Sequence, residues 1–318
     1  MRNSMYVALF MCCFATYAHA LDSRYRHVSA ETTIGELVEH PAFASFGEHL
    51  LTRESDLSRQ ELPLRNVATL LPYHTAVDVP TVIASINHMI DEVSLGKTIF
   101  YSFYSEQEQQ ADRGKTTTGL FFFRGNPGAP FSVICPGGGF SYVGSFHEGF
   151  PYAMELSKRG YNAFVLRYRV GGGGTPAVAD LAAALAFIFA NADALDVGAA
   201  DYSLWGSSAG ARMAAYIGSY GTQGFTGVAL PKPGAVVMAY TGYTDFSPDD
   251  PPTYVIVGDR DGIAPASVME NRVRKMQAAG VTTSISIIPN TAHGFGLGVG
   301  TAAHGWIHDA IAFWEGPD

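Results

Sequence analysis

The strongest constraint on the fold is an alternation of short apolar runs with helix-like stretches that begins near Lys97. Eight runs have the length and the aromatic or β-branched content of strands. They are TIFYSFY, GLFFF, FSVICP, NAFVLRYRV, YSLWG, AVVMAYT, TYVIVGD and SISIIP. The later runs are nearly all apolar, as is typical of strands covered by helices on both faces. The alternation therefore predicts an α/β fold, with a doubly wound and mostly parallel central sheet.

The first two runs, at 98–104 and 119–123, depart from this alternation. Both are rich in aromatic residues, and the segment between them is interpreted as leaving no room for a helix. We therefore expect these two strands to pair antiparallel at one edge of the sheet.

The N-terminal 20 residues have the features of a secretory signal peptide. Arg2 precedes an apolar run from Met5 to Tyr17, and Ala18-His19-Ala20 fits the A-x-A cleavage pattern. An uncleaved membrane anchor is the alternative, but the run is shorter than the ~20 residues that span a bilayer. We expect cleavage after Ala20 and export to the periplasm or the exterior.

Residues 21–96 lack the glycine-rich punctuation of the rest of the chain and look helical. Thr33 and Glu36 have capping-box spacing. Farther along, Pro80 stands near the start of an amphipathic pattern that Gly96 ends. The sequence predicts a helical N-terminal extension that packs on a larger domain, 97–318, and could contribute to a lid.

Composition narrows the class of partner. The chain has 29 acidic against 20 basic residues, a formal net charge of -9, and no run of lysines and arginines. These values argue against nucleic acid as a partner. After removal of residues 1–20, Cys135 is the single remaining cysteine, so no internal disulfide is expected.

Two adjacent serines in the stretch LWGSSAG compete for the role of nucleophile. Ser208 lies at the centre of a G-x-S-x-G pattern, whereas the same pattern centred on Ser207 would require glycines at 205 and 209, which are Trp and Ala. A nucleophile on a tight strand-to-helix turn needs small neighbours, and the helix that follows directs its N-terminus at the reaction centre. The alternative is an ordinary glycine-rich turn with a capping serine.

A glycine run, PGGGF at 136–140, follows an earlier apolar strand. Such a run lets main-chain N–H groups approach a developing oxyanion, although a mobile loop is the alternative. It fits neither a dinucleotide fingerprint, because Tyr142 stands where glycine is needed, nor a P-loop. The aromatic Phe140 and Tyr142 are candidate substrate contacts, with packing under a lid as the equal alternative.

An acid and a histidine follow in the chain order Ser, acid, His that this architecture requires. His293 lies just beyond the last strand-like run, among small residues. Asp259 and Asp261 both follow the preceding run, and we favour Asp261 because Asp259 sits closer to the strand end, where it could stabilise the turn. His304 and His308 are spaced i, i+4 but lack the glutamate of H-E-x-x-H, so they predict a solvated helix face and no metal site.

Together, GSSAG, PGGGF, GDRDGIAP and AHGF resemble the α/β-hydrolase fold over about residues 97–315. The similarity is to secreted esterases of the hormone-sensitive-lipase-like and carbohydrate acetyl or feruloyl (BD-FAE-like) groups. It implies a catalytic triad of Ser208, Asp261 and His293, with Asp261 three residues after Gly258. It also implies an oxyanion hole formed by the N–H groups of Gly138, Gly139 and Ala209. Lipase-like relatives usually have histidine where this chain has Pro136.

The resemblance implies a secreted serine carboxylic-ester hydrolase that acts through an acyl-enzyme, without cofactor or metal, on short-acyl esters of carbohydrates. Its partner would be a small-molecule or polysaccharide ester, with no stable membrane insertion once the signal peptide is removed. Lipase, peptidase and thioesterase activities use the same triad and remain alternatives, as does a non-catalytic binding homologue. The oligomeric state is left open.

Overall fold

The computed structural model describes residues 25–316, so the predicted signal peptide and its cleavage site lie outside the described residues. One eight-stranded sheet forms the centre of the fold. Its strands are β1 (Phe100–Tyr101), β2 (Gly119–Phe123), β3 (Pro130–Cys135), β4 (Asn162–Arg167), β5 (Gly198–Ser207), β6 (Ala235–Ala239), β7 (Thr253–Gly258) and β8 (Thr283–Ile288). Their order across the sheet is β1-β2-β4-β3-β5-β6-β7-β8.

Strand β2 is antiparallel to both of its neighbours, β1 and β4, and every pair from β4 to β8 is parallel. All positions of β2, β4, β6 and β7 are buried, which requires cover on both faces. The predicted α/β class with a mostly parallel sheet is therefore confirmed.

Ten α-helices surround the sheet within residues 25–316. They are α1 (Ile34–Val38), α2 (Val79–Ser94), α3 (Glu106–Ala111), α4 (Phe150–Lys158), α5 (Thr175–Ala190), α6 (Ala192–Leu195), α7 (Ala209–Tyr220), α8 (Gln223–Thr226), α9 (Ala266–Ala278) and α10 (Trp306–Glu315). Short 3-10 helices span Pro41–Phe43, Gly47–Leu50, Glu54–Arg59, Leu64–Leu70, Arg113–Thr117 and Gly172–Gly174, and a π-helical turn spans Ser145–Gly149.

Helix α3 corrects one expectation. β1 and β2 pair antiparallel at the sheet edge, as predicted, but the segment between them does contain a helix. Its six residues bury no side chain, and a capping box between Ser105 and Glu108 closes its first turn. A polar helix stabilised by its cap lacks the apolar periodicity by which helices are recognised in sequence, which explains the wrong expectation.

The segment before the sheet joins the same hydrophobic core as the sheet itself. Its capping box at Thr33 and Glu36 forms, with both hydrogen bonds present. Helix α2 starts after the cap Asp78 and contacts α4, and its side chains Ile86 and Ile90 are fully buried. Residues of this segment are therefore built into the fold rather than laid over its surface.

Candidate active site

The turn at Ser208 joins the end of β5 directly to the start of α7. Ser208 has φ +51° and ψ -115°, a backbone conformation that residues other than glycine rarely adopt. Such conformations are concentrated at functional sites. A Cβ on Gly210 would lie 1.8 Å from the carbonyl oxygen of Cys135, so the backbones of α7 and β3 approach too closely for any other residue. The glycine requirement inferred from GSSAG therefore has a specific steric cause.

The structure brings Ser208, His293 and Asp261 into one hydrogen-bonded chain. The Nε2 atom of His293 lies 3.0 Å from Ser208 Oγ, and its Nδ1 atom lies 2.7 Å from Asp261 Oδ2. The other carboxylate oxygen of Asp261 accepts the N–H groups of Ile263 and Ala264 at 2.8 and 2.7 Å. These two bonds fix the carboxylate, and the carboxylate in turn fixes the histidine ring.

The two candidate acids have different surroundings. Asp261 is 6% exposed, whereas Asp259 is exposed to solvent. Within residues 25–316, the Asp259 side chain has no hydrogen bond to His293, whose Nδ1 atom is bonded to Asp261. Of the two aspartates, the structure therefore places Asp261 next to the histidine.

The glycine loop lies against the Ser208 turn. Gly138 has φ +133°, and a Cβ there would meet the carbonyl oxygen of Tyr142 at 2.1 Å, so the loop needs glycine at this position. Among the described residues, no protein acceptor takes the N–H groups of Gly138, Gly139 or Ala209. All three donors are thus available to a ligand oxygen, as an oxyanion hole requires.

The two aromatic residues after the glycines have different environments. Phe140 is half-buried beside the loop, but Tyr142 is fully buried. The Tyr142 hydroxyl accepts the N–H of Tyr73 at 3.1 Å and lies 2.9 Å from His74 Nδ1. The structure contradicts a substrate contact for the Tyr142 side chain, because its ring has no free face and its hydroxyl is already engaged.

Two further side chains stand around the loop and were not found from the sequence. Arg212 is exposed on the first turn of α7, with its guanidinium carbon 5.8 Å from the centre of the Phe140 ring and 5.9 Å from that of Tyr243. Tyr73 is 44% exposed and stacks on Tyr142. Arg212 follows Ser208 by four residues, a helical spacing that could have identified it; Tyr73 had no comparable signal.

A buried carboxylate, Glu148, lies behind the glycine loop. Its Oε2 atom accepts the N–H of Gly137 at 2.6 Å, and its Oε1 atom accepts the Tyr240 hydroxyl at 2.7 Å. His74 Nε2 lies 3.0 Å from the same Oε1 atom. Burial alone would raise the pKa of the Glu148 carboxyl, but the charge and hydrogen bond of His74 outweigh burial and bring that pKa to about 2.

The neighbouring His147 is also buried, and its Nε2 atom lies 3.0 Å from the carbonyl oxygen of Gly294, next to His293. Burial, and next the positive charge of His74, lower the pKa of His147 from 6.5 to about 4. His147 is therefore neutral in the folded protein over a pH range in which it is protonated in the unfolded chain.

This shift predicts an acid-sensitive contribution to stability. Between pH 6.5 and about 4 the unfolded chain binds a proton at His147 that the folded protein does not. The contribution is therefore fully present above pH 6.5 and falls as the pH is lowered toward 4, by roughly 3 kcal/mol in all. We expect His147→Gln to flatten the decline of unfolding free energy across this window in urea titrations.

The matched control is His308→Gln, because His308 is exposed on α10. That variant should keep the wild-type slope of unfolding free energy against pH. An unchanged slope in His147→Gln would contradict the assignment of the slope to His147.

Comparisons with protein families, curated proteins and solved structures show what the chain resembles. Residues 125–229 match the BD-FAE family model, a span that includes the glycine loop and the Ser208 turn. The chain has the α/β-hydrolase fold. The resemblance to BD-FAE-like esterases expected from the motifs is confirmed.

Among curated proteins, an acetylxylan esterase from Xylanibacter ruminicola is 24% identical over 242 residues, which cover 64% of this chain and 48% of that protein. The chain thus spans about half the length of this relative. An acetyl ester-xyloside bifunctional hydrolase from Caldicellulosiruptor lactoaceticus has a TM-score of 0.55 at 20% identity, covering 64% of this chain and 89% of that one. An esterase from Thermogutta terrifontis has a TM-score of 0.54 at 18% identity, covering 63% and 92%.

Proposed function

We propose that this protein is a serine carboxylic-ester hydrolase with Ser208 as nucleophile, His293 as general base and Asp261 as orienting acid. The observation that carries the proposal is the continuous chain of hydrogen bonds, 3.0 Å from Ser208 to His293 and 2.7 Å from His293 to Asp261. A nucleophile, a base and an orienting group in this sequence of contacts are what acyl transfer requires.

The proposed reaction follows from the positions of these atoms. His293 Nε2 takes the proton of Ser208 Oγ as that oxygen attacks the ester carbonyl, and Asp261 stabilises the imidazolium. The N–H groups of Gly138, Gly139 and Ala209 bind the oxyanion, and removal of one such donor typically costs about 10²–10³ in kcat. The imidazolium then protonates the leaving alcohol, and water releases the acyl group by the same steps.

The proposed substrates are short-acyl esters of carbohydrates, such as acetylated plant polysaccharide. Two relatives with related names, an acetylxylan esterase and an acetyl ester-xyloside hydrolase, support this class. Rings and a cation at the site suit a sugar ester: Phe140 and Tyr243 flank Arg212. We further propose export, with cleavage after Ala20, which N-terminal sequencing of the secreted protein would test by finding Leu21 first.

A fluorophosphonate probe and a panel of esters test the function. We expect the probe to label Ser208, and turnover to be highest for acetyl esters in a series of acyl lengths that includes acetylated xylan and a feruloylated oligosaccharide. Activity that rises steadily to C12 and beyond would favour a lipase. Folded protein that neither reacts with the probe nor hydrolyses any ester would favour a binding homologue.

A substitution of Phe140 tests the proposal that the substrates are esters of carbohydrates. We expect Phe140→Ala to raise KM for acetylated xylo-oligosaccharide by about fivefold, the equivalent of ~1 kcal/mol of lost ring contact, with kcat/KM for p-nitrophenyl acetate unchanged. Steady-state kinetics on both substrates provide the measurement, with Phe140→Tyr as the control that keeps a ring. An equal loss on both substrates would instead indicate a disturbed glycine loop.

A further inference from the structure

We propose that Glu148 and His74 are positioning residues that hold the glycine loop and the His293 loop in their reactive arrangement. The segment 73–75 of the N-terminal region would then complete the active site from behind rather than cover it as a lid. The inference rests on the proposed function, since it concerns the geometry of the same triad and oxyanion hole. We call His74, Glu148 and Tyr240 the anchor network.

On one side, the anchor network is hydrogen-bonded to the glycine loop. Glu148 Oε2 accepts the N–H of Gly137 at 2.6 Å, and Gly137 directly precedes the proposed oxyanion donor Gly138. The carbonyl oxygen of Gly137 accepts the N–H of Gly144 at 2.9 Å, which closes the loop on itself. A shift of the Glu148 carboxylate would therefore move the peptide next to the oxyanion donors.

On the other side, the anchor network reaches the loop that carries His293. The Tyr240 hydroxyl donates to Glu148 Oε1 at 2.7 Å and accepts the N–H of Gly296 at 3.2 Å. The Tyr240 ring also packs edge-on against the His293 ring, with centroids 5.1 Å apart. One carboxylate thus joins the two loops that must act together in the reaction.

The N-terminal segment adds direct bonds to the same loop. Thr75 Oγ1 donates to the carbonyl oxygen of His293 at 2.8 Å, and the Thr75 N–H donates to that of Gly294 at 2.9 Å. Between Thr75 and Tyr73, the His74 side chain turns inward, 1% exposed, onto Glu148. Residues more than 200 positions apart in the chain are therefore held together at the proposed base.

The contacts of the anchor network depend on the negative charge of Glu148. Within residues 25–316, its single ion-pair partner is His74; His147, Tyr152 and Tyr240 also face it. A buried carboxylate needs such partners to stay ionised, and the ionised form is acceptor-only, which suits the donors at both of its oxygens. Glutamine has nearly the same shape but presents an NH2 group at one position, where it would oppose the N–H of Gly137 or the donors at Oε1.

Glu148→Gln therefore provides the main test. We expect kcat for p-nitrophenyl acetate to fall by about 10²-fold with little change in KM, because misplacement of reacting groups by about 1 Å has that effect. The rate of fluorophosphonate labelling at Ser208 should fall in parallel. The matched control is Asp250→Asn, which removes another buried ion pair, between Asp250 and Arg272 at 3.3 Å. This pair lies outside the anchor network and the triad. The control variant should have a lower Tm but an unchanged kcat.

Thr75→Val serves as a second variant should Glu148→Gln fail to fold. Thr75 is exposed, and valine has the same shape without the donor to the His293 carbonyl, so the fold should persist while kcat falls several-fold. Wild-type kcat in a folded Glu148→Gln or Thr75→Val protein would overturn the proposal. So would a kcat that falls in Asp250→Asn as much as in Glu148→Gln. Failure of the proposed function is a separate result, because the wild-type protein itself would then neither hydrolyse esters nor react with the probe.

Discussion

Replacement of Ser208 by alanine is expected to lower kcat for p-nitrophenyl acetate on the order of 10⁶-fold and to leave the fold intact. The loss is large because the proposed mechanism has no second nucleophile to form the acyl-enzyme. The fold should persist because alanine keeps the Cβ, and the turn is held by a main-chain bond from the Ser208 N–H to the Ala239 carbonyl at 2.9 Å. Initial rates and circular dichroism provide the measurements.

The neighbouring serine supplies the matched control for this variant. Ser207 is buried, and its Oγ donates to the Tyr152 hydroxyl at 3.2 Å, whereas the Nε2 atom of His293 lies against Ser208. Ser207→Ala should keep most of the activity and the label from a fluorophosphonate probe. Substantial activity in Ser208→Ala, or loss of activity in Ser207→Ala alone, would remove Ser208 from its proposed role.

The strands of this fold could be predicted from sequence because burial on both faces of the sheet requires a continuous run of apolar residues. A strand such as β7 must be apolar at nearly every position, and such runs are rare elsewhere. Helix α3 has no apolar pattern in its sequence, because none of its side chains is buried and its stability comes from the Ser105 cap. Apolar periodicity detects packing, and elements that do not pack escape it.

The same distinction separates the predicted from the missed residues of the candidate site. Ser208 and His293 carry local signals, glycines that a tight turn needs or a place just after a strand. Glu148 and His74 carry none, because their significance lies in a contact between residues 74 positions apart. For Tyr142 the sequence left substrate contact and packing as equal alternatives, because its place two residues after Phe140 does not indicate which of the two rings faces inward.

The N-terminal segment takes on a different meaning in the structure. Its helical character was predicted, and the sequence suggested a contribution to a lid. In the structure, the main chain and side chain of Thr75 bond to the loop of His293, and Tyr73 lies beside the glycine loop. A segment with these contacts can influence the geometry of the proposed triad without covering the site.

Substitution of Asp261 by asparagine is expected to lower kcat by about 10⁴-fold with little effect on KM. Asparagine can still accept the N–H groups of Ile263 and Ala264 through its carbonyl oxygen, so the loop should keep its shape. Its NH2 group would then donate to His293 Nδ1 and favour the tautomer that carries its proton on Nε2. In that tautomer, Nε2 cannot accept the proton of Ser208. Steady-state kinetics and the rate of probe labelling measure the effect.

Asp259→Asn completes the comparison, because it makes the same chemical change two residues away in the same loop. Asp259 is exposed, so its replacement should leave kcat within about twofold of the wild-type value, as for ordinary surface substitutions. The two variants lose the same charge at nearly the same place, and a general electrostatic effect on the site would therefore lower both activities alike. A large loss confined to Asp261→Asn identifies the carboxylate that orients the histidine, whereas a large loss confined to Asp259→Asn would mean that the loop rearranges before the reaction and that Asp259 is the acid.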